Sequence, residues 1–136
     1  MSGNFGDFRS VRMSDFSESL LQNIEGLESI NISDREGVEI ATFSRTPIDK
    51  KHAQLISVLF SLTTEQCQKL AEFGDTDFLL TSFPDGQFLF QLNLHPLVVT
   101  FRGLNVATNV LIDAGDKIRQ ALAELRDQVA KMTTTQ

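Results

Sequence analysis

Few side chains in this sequence have the types and spacing that catalysis or metal binding requires. A hydrolase of the nucleophilic type needs a nucleophile, a base and a group that orients the base. The only histidines are His52 and His95, and neither has a cysteine or a second histidine at zinc-ligand spacing. His95 precedes Pro96 in a predicted turn, and Cys67 is interpreted as a small core residue of a helix. We expect no catalytic, cofactor-binding or metal-binding residues.

Two neighbouring carboxylates, Asp34 and Glu36, could be considered as an acid and base or as cation ligands. The same residue types are usual in a hairpin turn, and Gly37 can supply the left-handed conformation that a tight hairpin needs. No stretch matches the glycine-rich patterns that hold phosphate groups. These exclusions favour a binding function over catalysis.

The composition is that of one globular domain. The chain has 136 residues, of which 41% are hydrophobic and 22% charged, enough to build a core. A formal net charge of −6 repels phosphate backbones, so nucleic acid is not an expected partner. The single cysteine, with no leader of basic and apolar residues, favours a reducing interior. The apolar stretches are too short to span a membrane, so direct membrane insertion is not expected.

Hydrophobic periodicity predicts the element order helix, two strands, helix, three strands, helix. The first helix is predicted to begin at the N-cap Ser14 and to end at the C-cap Gly26. The remaining elements are predicted over 27–33, 38–43, 51–73, 77–83, 87–94, 97–104 and from Val106 onward, with a restart of the middle helix considered near Thr63. Residues 1–13 are predicted to be a flexible arm and 132–136 a polar tail, which leaves a domain over 14–131.

The amount of apolar surface exceeds what one copy of this fold can hide. The last three strands carry apolar residues at successive positions, so both faces of their sheet need cover. The middle helix is apolar on more than one side, because Leu55, Leu59 and Leu62 run beside its main stripe. An apolar edge strand also invites another strand. We infer an obligate partner chain; the alternative is a monomer whose extra leucines pack under the 45–50 loop.

Two separated motifs resemble a known family. The run EGL at 25–27, followed by SDREGV at 33–38, resembles the opening of Roadblock-type domains. The strand, turn and strand around Gln91 and Asn93, with PLVVTF at 96–101, is similar to the MEK-partner scaffold subunits of the late endosomal and lysosomal Ragulator complex. The likeness extends over 14–131.

The resemblance implies an α+β fold, in which a five-stranded antiparallel sheet carries the middle helix on one face and the terminal helices on the other. It implies pairing through the third strand and the middle helix with a sister Roadblock subunit. Other Ragulator subunits, Rag-type small GTPases and MAP kinase components are the further partners implied, on the cytoplasmic side of late endosomes or lysosomes. The partner interface implied for this sequence comprises Leu55, Leu59, Leu62, Phe78, Leu79, Leu80, Thr81 and Phe83.

Two other functions are considered. A homodimeric Roadblock-type GTPase regulator or dynein light chain would need a self-complementary surface. Asp75 and Asp77 flank the predicted edge strand and would meet their own copies in a two-fold pair, which favours a different partner. A small enzyme is the third alternative, and no cluster of residues supports it.

Overall fold

The fold follows the predicted order of elements. The computed structural model describes the backbone of residues 2–47 and 49–134, with most side chains within 13–124. The helices are α1, α2 and α3, and the strands are β1 to β5. Their bounds are α1 Ser2–Asn23, β1 Leu27–Asp34, β2 Glu39–Ser44, α2 Lys50–Cys67, a 3₁₀ helix Gln68–Phe73, β3 Phe78–Ser82, β4 Gln87–Leu94, β5 Leu97–Leu104 and α3 Thr108–Thr134.

The first helix is longer than predicted. It begins at Ser2, so the prediction that Ser14 is its N-cap is wrong. Once a helix has formed, each added residue costs little, and residues 2–13 contain no proline that would stop it. The closing helix α3 likewise continues to Thr134. The division into an arm, a domain and a tail stays a prediction.

The middle helix ends earlier than predicted. α2 stops at Cys67, and the break considered near Thr63 lies instead at the following 3₁₀ helix. Within that segment Leu70 has non-helical angles, φ −99° and ψ 50°, so the chain bends there. At its start α2 is capped by Asp49, whose Oδ1 accepts a hydrogen bond from the Lys51 main-chain N–H at 3.0 Å.

Two glycines make the connections around β1. Gly26, with φ +94°, lies in the turn between α1 and β1, where the Leu27 N–H donates to the Ile24 carbonyl; since α1 ends at Asn23, the prediction that Gly26 is its C-cap is wrong. Gly37, with φ +88°, lies in the hairpin between β1 and β2. Asp34 Oδ1 accepts hydrogen bonds from the N–H groups of Glu36 and Val38, each at 2.9 Å. The acidic pair therefore builds a turn, as the turn interpretation predicted.

The five strands form one antiparallel sheet in the order β2-β1-β5-β4-β3. The two terminal helices cover one face: Leu20 of α1 and Ile118 of α3 lie in the same buried cluster as Phe90 and Phe101 of the sheet. α2 covers the other face, where Ile56 and its neighbour Phe60 are buried. The α+β fold and its layers are as the sequence predicted.

The sheet face beneath α2 is more polar than predicted. Buried side chains on this face include Asn31, Ser33, Gln91 and Thr100, beside the apolar Val98. The expectation that the last three strands are apolar on both faces is therefore only partly right. Some of these polar side chains have hydrogen-bond partners, and Asn31 Nδ2, for example, donates to Thr42 Oγ1 at 2.8 Å. Hydrogen bonding of this kind is what makes burial of amides tolerable.

Candidate protein interface

The strand β3 is a free edge of the sheet with unpaired main-chain groups. Asn93 N–H donates to the Asp77 carbonyl and Phe83 N–H to the Gln87 carbonyl, each at 2.9 Å, which marks both ends of the β3–β4 ladder. Hydrogen-bonded pairs alternate along an antiparallel ladder, so odd-numbered residues from Asp77 to Phe83 face β4. The N–H and C=O groups that point outward are those of Phe78, Leu80 and Ser82.

The opposite edge, β2, carries features that oppose strand addition. Its register with β1 shifts between Ile32 and Ser33, which leaves Ile40 as the extra residue of a β-bulge. Glu39 at the start of the strand adds a charge. Bulges and charges on an edge strand discourage pairing with another chain, whereas β3 has a regular register and no charged residue. β3 is therefore the edge better suited to strand addition.

The three additional leucines of α2 lie on the surface of the chain. Leu55 is 65% exposed, Leu59 51% and Leu62 56%, so the alternative in which they pack under the 45–50 loop is wrong. Large apolar side chains grouped on one helix face are typical of a surface that another protein covers. α2 passes over β4, since Ile56 contacts Gln91, whose cross-strand neighbour in β3 is Leu79.

The predicted interface residues of β3 differ in how far their side chains are exposed. Leu80, Thr81 and Phe83 are exposed, whereas Phe78 and Leu79 are half-buried. The ring of Phe78 lies 5.0 Å from the ring of Phe90, so this side chain belongs mainly to the core. Phe78 remains part of the edge through its main chain.

Two exposed residues next to this surface escaped the sequence analysis. Leu70 is 54% exposed and Phe73 75% exposed, both in the 3₁₀ helix that follows α2. The helix predicted over 51–73 would have continued through both residues. The bend at Leu70 changes their direction.

The hairpin between β1 and β2 is tied to the turn between β4 and β5. Arg35 donates from Nη2 to Asn93 Oδ1 at 2.6 Å and from Nε to His95 Nδ1 at 3.0 Å. Asn93 Nδ2 donates in turn to the Thr76 carbonyl at 2.7 Å, in the segment that leads into β3. Ser61 of α2 donates to the Arg35 carbonyl. Asn93 thus connects the segment before β3 to the hairpin between β1 and β2.

No catalytic or metal site is assembled from the described residues. His95 lies in its turn and accepts from Arg35, while the side chain of His52 lies outside the described part. Cys67 is half-buried at the end of α2, so the prediction that it is a core residue is wrong. No group of metal-ligating side chains is found among the described residues. Over the same part of the chain, no helix is long and apolar enough to cross a membrane.

Solved structures of other proteins share this architecture. A Roadblock/LC7 domain from Streptomyces avermitilis is 17% identical, with a TM-score of 0.69 over 86% of this chain and 97% of that chain. MglB of Myxococcus xanthus is 12% identical, with a TM-score of 0.73 over 86% and 96%. The gliding protein MglB of Thermus thermophilus is 14% identical, with a TM-score of 0.70 over 88% and 90%. The fold is that of the Roadblock/LC7 class.

The sequence places the chain more narrowly within that class. Residues 12–129 match the model of the family described as mitogen-activated protein kinase kinase 1 interacting, and the chain belongs to this family. The Ragulator complex protein LAMTOR3 of Tetraodon nigroviridis is 30% identical over 115 residues, which are 83% of this chain and 90% of that protein. Proteins of this kind are scaffolds or regulators, and the chain is not an enzyme.

Proposed function

We propose that this chain is a scaffold subunit of a Ragulator-like complex, and that it acts as one half of a heterodimer with a sister Roadblock subunit. The observation that carries the proposal is the unprotected edge of β3 lying near the three exposed leucines of α2. A strand of the partner would pair with the outward N–H and C=O groups of Phe78, Leu80 and Ser82. The sheet would then continue across two chains.

Neither part of this surface is sufficient alone. The three leucines are 51% to 65% exposed, so burying their exposed surface against a partner contributes about 1 kcal/mol for each side chain. Association of two proteins costs at least about 4 kcal/mol in lost freedom of motion. The leucines together therefore fall short of that cost, and pairing of the strands has to add the remainder.

A second copy of this chain fits the edge less well than a sister subunit. Acidic residues stand at both ends of β3, Asp75 and Asp77 before it and Asp85 after it. In a two-fold antiparallel pair the start of each strand lies beside the end of the other, so Asp75 and Asp77 of one copy would lie near Asp85 of the other and repel it. Arg119 compensates only Asp77, through Nη2 and Oδ1 at 2.6 Å.

A homodimer or larger self-assembly is the second candidate. It is favoured by the fold neighbour MglB, of which one structure is described as having a tetrameric arrangement. In that case the chain would act as a Roadblock-type GTPase regulator or dynein light chain.

The proposed activity is to hold other proteins together in a fixed arrangement. A rigid sheet shared by two chains would present surfaces that neither chain has alone, to other Ragulator subunits, Rag-type small GTPases and MAP kinase components. The relative is named as a Ragulator complex protein and the family is described as mitogen-activated protein kinase kinase 1 interacting, which supports the Ragulator subunits and the MAP kinase components among these partners. The proposed place of action is the cytoplasmic side of late endosomes or lysosomes, reached through complex partners, and the proposed output is TOR and MAP kinase signalling.

Co-expression with the Roadblock subunits of the same organism tests the proposal. We expect the chain alone to be poorly soluble and the pair to elute as a 1:1 species by size exclusion with light scattering. A soluble monomer that binds none of the Roadblock subunits would contradict the proposal. A stable species of two identical chains would support the second candidate instead.

A further inference from the structure

A groove crosses the face of the sheet that α2 covers, beside the helix. Its first part is a cavity of about 500 Å³ whose apolar lining includes Ile56, Phe83 and Leu89. Its second part, of about 270 Å³, is lined by Glu28 and Ser29 of β1, by Ser44 of β2 and by the loop that follows β2. Gln87 and Arg102 line both parts, so the two cavities lie side by side across this face.

The floor of the groove is a row of side chains from four adjacent strands. Leu89 of β4 lies opposite Arg102 of β5, which lies opposite Ser29 of β1, which lies opposite Ser44 of β2. Neighbouring strands are about 4.8 Å apart, so the row is about 14 Å long. A fully extended peptide rises about 3.3 Å per residue, and about four residues fit along this row.

Arg102 is the one cation of this row, and no described residue pairs with it. Its side chain is half-buried, and it makes no hydrogen bond or ion pair with any described residue. Glu28 of the second cavity forms no ion pair with it, and Asp85, the acidic residue that lines the first cavity, is engaged elsewhere. Its carboxylate accepts from the Gln87 main-chain N–H at 3.1 Å and from Gln87 Nε2 at 2.6 Å. These bonds, the main-chain one first, lower the pKa of Asp85.

We propose that this groove binds a short extended segment of a partner protein, with a bulky apolar residue one or two positions from an acidic residue. The apolar side chain would lie over Leu89 and Phe83, and the carboxylate would pair with the guanidinium of Arg102. The hydroxyl groups of Ser29 and Ser44 line the other half of the groove, where polar main chain can be accommodated. This combination fits a peptide better than a simple anion, which has no apolar part.

The proposal does not depend on strand pairing at β3. The floor of the groove comes from β4, β5, β1 and β2, and Phe83 is the only residue that the groove lining shares with the predicted partner interface. A chain that fails to pair with a Roadblock subunit could still bind such a segment, and the reverse also holds.

The test is selection of peptides from a library of displayed hexapeptides against the full-length chain, alone and with its Roadblock partner. We expect the selected sequences to share an acidic residue close to a bulky apolar one. In the chain labelled with ¹⁵N, their binding should shift the amide signals of Leu89, Arg102 and Ser29. Selected sequences without an acidic residue, or signals that shift along β3 instead, would overturn the proposal, as would failure to select any binder.

Variants then ask whether Arg102 is the recognising group. Arg102→Ala should weaken binding of a selected peptide by at least about tenfold, since a charge-assisted hydrogen bond is lost. Lys117→Ala is the matched control, because it removes one positive charge from an exposed pair with Asp113 on α3 and should leave binding unchanged. Equal thermal unfolding of the two variants shows that both fold. Unchanged binding in Arg102→Ala, or displacement of the peptide by millimolar inorganic phosphate, would overturn the proposal.

Discussion

Gln91 donates a hydrogen bond from Nε2 to the main-chain oxygen of Ile56 at 3.1 Å, in a buried position between the sheet and α2. Gln91 is 2% exposed and belongs to β4, next to the edge strand β3. The bond fixes the height of α2 over the sheet, with Ile56 on the inner side and Leu55 and Leu59 on the outer side. A buried polar side chain of β4 thus sets the position of the exposed leucines.

Replacing this amide should loosen α2. In Gln91→Ala we expect the free energy of unfolding, measured in urea, to fall by about 2 kcal/mol, because a buried hydrogen bond is lost and a cavity remains. Hydrogen exchange should quicken in α2 more than in β5. Asn23→Ala is the control, since the Asn23 amide bonds only to Ser19 at 3.2 Å on the surface. Unchanged stability and exchange in Gln91→Ala would contradict the anchoring role.

A charge on the outer side of α2 should prevent pairing. Leu59→Asp is expected to weaken binding of the Roadblock partner by more than about a hundredfold, because an unpaired carboxylate would have to leave water. Ile112→Asp is the control, an exposed apolar position on α3 across the sheet. Both can be measured by biolayer interferometry. Co-purification of Leu59→Asp with its partner at the level of the parent chain would show that the assigned face is wrong.

Proline at an outward position of β3 should block strand addition while leaving the sheet intact. The N–H of Leu80 points away from β4, so Leu80→Pro removes no hydrogen bond of the β3–β4 ladder. We expect this variant to fold and to lose the partner in size exclusion. Ser44→Pro makes the same change at an outward position of β2 and should leave pairing intact. If the two variants behave alike, β3 is not the pairing edge.

Two glycines with similar backbone angles should respond differently to alanine. Gly26 has φ +94°, and a Cβ there would stand 2.2 Å from the Leu104 carbonyl oxygen, which the main chain holds in place. Gly74 has φ +84° but no atom within 4 Å of such a Cβ. Gly74→Ala should therefore cost about 1–2 kcal/mol from the left-handed conformation alone, and Gly26→Ala clearly more. Equal thermal shifts in the two variants would contradict this account of the β1 connection.

The elements of the fold follow from local patterns that the sequence carries. Alternation of Ile30 and Ile32 with polar residues marks β1, and Gly37 marks the hairpin. The strands β4 and β5 have the predicted bounds Gln87–Leu94 and Leu97–Leu104. Helix ends were less predictable, since neither the extension of α1 to Ser2 nor the end of α2 at Cys67 is fixed by a strong cap or a proline.

The interface was predictable in kind but not in full. The leucines Leu55, Leu59 and Leu62 stood out because they exceed one helical stripe. The exposure of Phe73 depends on a bend, and whether any described residue pairs with Arg102 depends on contacts between distant elements. Such features arise from tertiary packing, which spacing along the chain does not contain. The polar face under α2 was missed for the same reason, because Gln91 is satisfied by a helix 35 residues away.

Hydrogen exchange of the two edge strands is the most direct test of the central claim that β3 completes its sheet with another chain. Single-amide exchange would be followed by NMR in the complex with the Roadblock partner and compared with the chain alone. We expect the outward amides of Phe78, Leu80 and Ser82 to become strongly protected in the complex, while those of Thr42 and Ser44 in β2 stay unchanged. Protection that appears along β2, or at neither edge, would contradict the claim.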